Sequence, residues 1–241
     1  MNELEMTPSS AFTATAATAE RVTAFLRKVY GWMFVGLGIT AAVAFVIANS
    51  PEMVGAIATN RALFWGLWIV PLGLGMFLQV RVHKLQPGTA ALIFAIYAAS
   101  IGAWLSPIIL IYTGTSITTT FVVTAGMFGA LALWGTTTKR SLAGWGQFLF
   151  MGFIGVFLAA LVSAFWRTAG QNTGLQFVIT VVGVIVFTGL AAYNAQRMKV
   201  MATQVPEERL GSYAVVGALV LYITFINLFL MMLRILGGRR H

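Results

Sequence analysis

The chain has 241 residues, 59% of them hydrophobic and only 9% charged; a soluble domain carries about 25% charged residues and could not bury this much apolar side chain away from water. Its formal charge of +9 would suggest a nucleic-acid partner, but the cations sit at the ends of apolar segments, where membrane topology accounts for them and excludes that reading. The absence of cysteine rules out disulfides and thiolate metal sites.

Residues 1–26 are small and polar, without apolar periodicity, and read as a flexible tail that ends in a short interfacial helix near TAERVTAFLRK. A secretory leader places basic residues first and a short apolar stretch next. Here Arg27 and Lys28 come late and the apolar run after them is long enough to span, so the first helix is expected to stay as an anchor. Residues 27–238 then form one membrane domain.

A spanning helix needs about 20 mainly apolar residues. Seven stretches qualify: Val29–Asn49, Ala62–Val80, Thr89–Tyr112, Ile117–Trp134, Gly146–Trp166, Leu175–Asn194 and Ser212–Leu236. The fold class is therefore all-α, with seven transmembrane helices. The sixth could run on towards Lys199, because TQVPEE (203–208) is the first clear break. Pro71 and Pro107 fall inside the second and third spans, where a freed carbonyl needs a new partner. Small residues recur four apart at Gly36/Thr40, Ala98/Gly102, Ala125/Gly129 and Gly155/Ala159, a spacing that lets membrane helices approach closely.

Seven spans put Arg21, Arg27, Lys28, Arg81, Lys84, Lys139, Arg140, Arg197, Lys199 and Arg209 on one side. The other side receives Arg61, Arg167, Arg234, Arg239 and Arg240. Excess Lys and Arg mark the cytoplasmic face, so the N-terminus is expected in the cytoplasm and the C-terminus outside, periplasmic or extracellular, although its own cations are discordant. Trp32, Trp65, Trp134, Trp145 and Trp166 near the span ends fit an aromatic belt.

Much of the functional reading is exclusion. The six acids are Glu3, Glu5, Glu20, Glu52, Glu207 and Glu208, none inside an apolar run, and there is no aspartate. His83 lies in a loop and His241 is the last residue, so no span offers an imidazole. No lysine lies mid-span, no Gly-x-Ser-x-Gly elbow occurs, and no phosphate-cradling GxxxxGK[ST] loop exists. An enzyme is not expected, nor a cofactor or a bound metal. A channel, a transporter or a regulatory membrane protein remains.

Four stretches carry a family resemblance: FLRKVYGWMFVGLGIT (25–40), TAGMFGALALWGTTTKRSL (124–142), GVIVFTGLAAYNAQRMK (183–199) and GALVLYITFINLFLMMLRILG (217–237). Together they resemble, in order and over nearly the whole chain, the Bax inhibitor-1 (transmembrane Bax inhibitor motif) family, and the short loops look like its bacterial branch. The resemblance implies a bacterial inner-membrane protein whose seventh helix is central and wrapped by the other six. It also implies a cation leak, best described for Ca²⁺, controlled by pH through one aspartate in the sixth helix and one in the seventh. Bacterial relatives look like modulators of a membrane-anchored AAA protease, acting partly through the N-terminal tail.

Both aspartates are replaced here, by Asn194 in AAYNAQ and Thr224 in LYITFINLF. Two close carboxylates cannot both ionise cheaply and so share a proton, whereas asparagine and threonine do not titrate. The acid switch is absent, and a neutral pair does little to offset the cost of bringing a divalent cation into hydrocarbon.

Thr224 and Asn227 are three apart on neighbouring rows of one helix face, with Gly217 seven before Thr224. Such a face turns inward, either for interhelical hydrogen bonds or to line a permeation path. Arg81, at the end of the second span, is an accessory candidate that could approach Asn194, though without a carboxylate partner it more naturally snorkels to lipid phosphate. A small-solute transporter would show internally repeated, broken spans, and no convincing repeat is present.

Overall fold

A computed structural model describes residues 8–165, 173–238 and 240 of the chain. The end of the fifth span at Trp166, together with Glu3, Glu5, Arg167, Arg239 and His241, lies outside the described residues. The elements are α1 (Pro8–Ala48), α2 (Pro51–Thr59), α3 (Arg61–Arg81), α4 (Pro87–Ile111), α5 (Gly114–Thr137), α6 (Ala143–Phe165), α7 (Thr173–Gln204) and α8 (Leu210–Leu236). Single 3-10 turns at Val82–Lys84 and Glu207–Arg209 complete the pattern. Among the described residues, all of the α-helices but α2 are long and apolar enough to cross a membrane, which makes seven spans.

Apolar runs become helices here because hydrocarbon offers no partner to a free N–H or C=O, so each segment must satisfy its own backbone. The ends are closed locally. Asn60 Oδ1 accepts from the amides of Ala62 (2.9 Å) and Leu63 (3.3 Å) to cap α3. Thr113 Oγ1 accepts from Ser116 N to cap α5. Pro51 and Pro87 begin α2 and α4, where a missing N–H costs nothing. Inside α4, Pro107 cannot donate to the carbonyl of Ala103, and the hydroxyl of Ser106 donates to that carbonyl instead at 2.9 Å.

Two elements differ from the hydropathy reading. Residues 8–26, read there as a tail ending in a short interfacial helix, are helical and continuous with the first span, giving a 41-residue α1. At 1.5 Å per residue this helix is roughly 60 Å long, twice the hydrocarbon thickness of about 30 Å, so much of it stands outside the bilayer. Small residues such as Ala and Thr lack the bulk that marks a core helix, but Ala is also the best helix former, and composition alone does not separate the two outcomes. The short helix α2, with no buried residue, is also absent from the hydropathy reading.

The seventh span, α8, is central. In its apolar window 72% of residues are buried, against 17–44% in the other six spans. It packs directly on α1, α4, α5 and α7, while α3 lies mainly against α4 and α6 against α7. Large apolar side chains such as Phe34, Phe45, Met76, Phe148 and Ile185 remain exposed on the outer surface, where a soluble protein would not leave them.

Close approach is achieved at some of the expected small residues and not at others. A methyl group on Gly102 would meet the backbone of Thr40, and one on Gly36 would meet the ring of Phe94, so α1 and α4 cross at the Gly36/Thr40 and Ala98/Gly102 pairs. Gly129 and Gly155 face open space instead, so the other two pairs do not bring helices together there. Tight contacts that the four-residue spacing did not mark include Gly135 on the Ala192 backbone, Gly146 on the ring of Tyr193 and Gly217 on Met198.

The two ends of the bundle are tied differently. At one end Arg21 donates to the carbonyl of Val205, Ser212 Oγ to Leu85 O (2.7 Å) and Gln196 Nε2 to Arg140 O (2.9 Å). At the other, Thr113 N donates to Gly238 O (3.2 Å) and Arg240 N to Ile111 O (2.9 Å). Arg21 on α1 and the residues Gly238 and Arg240 after α8 therefore lie at opposite ends of the bundle, as an odd number of crossings requires.

Candidate functional site

Asn194 and Thr224 meet inside the bundle. Asn194 Nδ2 donates to Thr224 Oγ1 at 3.0 Å, and Thr224 donates onward to the carbonyl of Val220, one turn back on α8, at 2.9 Å. Both side chains are buried, 6% and 4% exposed. The Thr224 hydroxyl thus uses its single proton and accepts one bond. Small residues make the approach possible: Ala191 and Ala195 flank Asn194 and are fully buried.

Two residues earlier, α8 carries a second polar junction. The Tyr222 hydroxyl lies 2.6 Å from Thr40 Oγ1 on α1, which is 2.9 Å from the carbonyls of both Gly36 and Ala98. Thr40 has one proton and two carbonyls to give it to, so Tyr222 is the donor between the two hydroxyls. The rings of Phe94 and Tyr97 on α4 meet Tyr222 edge-on at 5.7 and 5.8 Å. Residues two apart on a helix point about 200° apart. Tyr222 therefore binds α8 to α1 and α4, while Thr224 binds it to α7 on the opposite side.

This second junction was not among the residues singled out by sequence. The available signal was a tyrosine in the middle of a span: a buried phenol needs a partner, and tyrosine otherwise favours the membrane interface. Thr40 was read only as a small residue for packing, and the structure gives it a second role.

The other candidates are not gathered into the pair. Asn227 is half-buried and donates to Ile223 O on its own helix at 2.8 Å, with no described bond to Asn194 or Thr224. Arg81 is exposed at the end of α3, a helix that packs mainly on α4, and no hydrogen bond links it to Asn194. The reason is geometric: α3 and α7 lie on different sides of α8.

Glu20, Glu52, Glu207 and Glu208 are all exposed, so among the described residues no carboxylate enters the interior. Nor does any group of three His, Asp or Glu there suit a metal ion. The hydroxyls of Thr120, Thr124 and Thr188 are buried without a protein partner, the situation in which a bound water usually supplies one. Chemically the interior offers neutral oxygens and amides, able to bond and to solvate but not to exchange protons near neutral pH.

A family model described as inhibitor of apoptosis-promoting Bax1 matches residues 22–241. The chain is 48% identical over 219 residues to inner membrane protein YbhL of Escherichia coli, covering 90% of this chain and 92% of that protein. It is 38% identical to an uncharacterized protein of Borreliella burgdorferi, with 90% and 93% covered. It is also 37% identical to one of Caulobacter vibrioides, with 90% and 89% covered.

Proposed function

The chain belongs to the Bax inhibitor-1 family of integral membrane proteins, and on that footing we propose that it is a cation-leak protein whose conductance does not respond to pH. The reading is carried by one observation, the 3.0 Å bond between two neutral side chains, Asn194 and Thr224, at the place where the family resemblance puts its acid pair. A carboxylate pair would take up and release protons and change its own repulsion. The amide–hydroxyl pair has one stable arrangement over the whole physiological range.

Support for a path comes from the unpaired hydroxyls of Thr120, Thr124 and Thr188 and from half-buried Asn227, oxygens of the kind that waters and a partly hydrated ion use. The name of the Escherichia coli relative supports placement in a bacterial inner membrane. The cation-rich end, with the start of α1, the ends of α3, α5 and α7 and the start of α8, then faces the cytoplasm, which puts the C-terminus outside. No catalytic role is assigned to any residue.

Purified protein in liposomes loaded with a Ca²⁺ dye tests the proposal. Flux above that of empty liposomes and equal at about pH 6 and about pH 8 is expected, because nothing in the interior titrates between them. No flux at either value removes conduction. The double variant Asn194→Asp/Thr224→Asp should acquire pH dependence; a flat response would show that this pair is not where the family's switch resides.

A second reading is a non-conducting regulator of a membrane-anchored AAA protease. The observation favouring it is the helical extension of α1, whose residues 16–20 are exposed. Deletion of residues 1–20 should abolish co-purification with such a protease, and unchanged recovery argues against it.

A further inference from the structure

The extension of α1, the α5–α6 loop and the last turns of α7 enclose a cleft of about 840 Å³ at the cation-rich end of the bundle. We propose that this cleft is a binding site for a phosphate-bearing anion, held by Lys139, Arg140 and Lys199. The inference does not depend on whether the protein conducts ions.

Three features set the cleft apart from a merely basic surface. Its cations come from separate segments: Lys139 and Arg140 from the loop, Lys199 from α7. Among the described residues no carboxylate lines it, although Glu20 is exposed nearby on α1. The hydroxyls of Thr138 and Ser141, each accepting a backbone N–H and so keeping its own proton to donate, lie among the cations, as an oxyanion with several acceptor oxygens requires. Membrane topology accounts for cations at this end, but not for their convergence on one concavity.

The loop is also held in shape. Gln196 on α7 accepts from Leu142 N through Oε1 at 2.7 Å and donates to Arg140 O through Nε2 at 2.9 Å, so one amide clasps both sides of the segment carrying two of the cations. Lys199 Nζ donates to Thr136 O at the end of α5 at 2.9 Å, which positions the ammonium and leaves two of its three donors for a ligand. Beside the cleft, Arg21 donates to Val205 O and fastens the α1 extension to the end of α7. A loop fixed by a neutral side chain, with its cations turned into a cavity, is pre-organised for an anion in a way that scattered surface lysines are not.

The phosphate could belong to an anionic phospholipid of the adjoining leaflet or to a soluble phosphate compound, and two arms of one experiment separate them. Full-length protein in neutral detergent is titrated with phosphatidylglycerol, with phosphatidylcholine as the zwitterionic control, by native mass spectrometry. In parallel it is titrated with inorganic pyrophosphate by calorimetry. At least one anion should bind, and whichever arm binds identifies the source.

The triple variant Lys139→Gln/Arg140→Gln/Lys199→Gln should weaken binding about tenfold or more, since it removes every charge-assisted contact the cleft offers. The variant Arg27→Gln/Lys84→Gln/Arg209→Gln removes as many exposed cations from the same end and should stay within about twofold of the parent, by the screening of separated exposed charges. Gln196→Leu, which leaves the charge untouched, should also weaken binding about threefold or more by releasing the loop. The proposal is overturned if neither anion binds the parent, if both triple variants lose affinity equally, or if Gln196→Leu binds like the parent.

Discussion

The hydroxyl of Tyr222 lies 2.6 Å from the hydroxyl of Thr40, and through it the central helix α8 is bonded to the two carbonyls where α1 and α4 cross. The Asn194–Thr224 bond does the same on the opposite side, towards α7. In both junctions the threonine hydroxyl is saturated, giving its proton to a carbonyl and accepting one bond, and neither junction contains an ionisable carboxylate.

That saturation predicts an asymmetry between two single substitutions. Tyr222→Phe leaves Thr40 its carbonyls and should cost about 0.6 kcal/mol, the average for such bonds in membranes. Thr40→Val leaves a buried phenol with no partner and should cost about 1–3 kcal/mol. Unfolding in mixed detergent micelles measures both; equal losses would refute the donor assignment.

Asn194→Asp should make stability depend on pH in a bundle where this site is otherwise silent. Burial disfavours the ionised carboxylate, so its folded pKa rises above the unfolded value of about 3.9. The folded state then holds a proton that the unfolded state has released, and stability falls as pH rises above the unfolded pKa until the folded pKa is passed. The variant-minus-parent difference in melting temperature should therefore be more negative at about pH 8 than at about pH 5, and an equal difference at both would place the carboxylate in water.

The two classes of glycine should part under the same change. Gly135→Ala drives a methyl group into the backbone of Ala192 and should cost about 1–3 kcal/mol by separating α5 from α7. Gly129→Ala enters open space and should be neutral or stabilising by up to about 1 kcal/mol through helix propensity. Thermal unfolding of the two variants side by side decides the matter.

The C-terminal segment offers a local test. Gly238 N donates to Ser116 Oγ at 2.9 Å, so Ser116→Ala should speed hydrogen exchange at the Gly238 amide while leaving the amides of α8 protected. Exchange unchanged at Gly238 would mean that this bond is not held in solution.

Much of the architecture is legible in the sequence because its cause is local. Length and hydropathy alone mark seven spans, since hydrocarbon admits only segments that satisfy their own backbone. TQVPEE marks the break before α8, and the proline in it is physical reason enough. That Asn194 and Thr224 are neutral, where the family resemblance implies an acid pair, is likewise legible, and neither side chain titrates.

What only the tertiary structure decided is which residues meet. A spacing of four nominates Gly129 and Gly36 equally, yet one faces open space and the other the ring of Phe94. Nothing within LYITFIN tells Tyr222 to find Thr40, 182 residues away, or separates Thr224, bonded across to α7, from Asn227, bonded to its own helix. Helical periodicity specifies a face, but a hydrogen bond needs a particular partner within about 3 Å. That distance is set by how the other six spans settle around α8, which no single segment encodes.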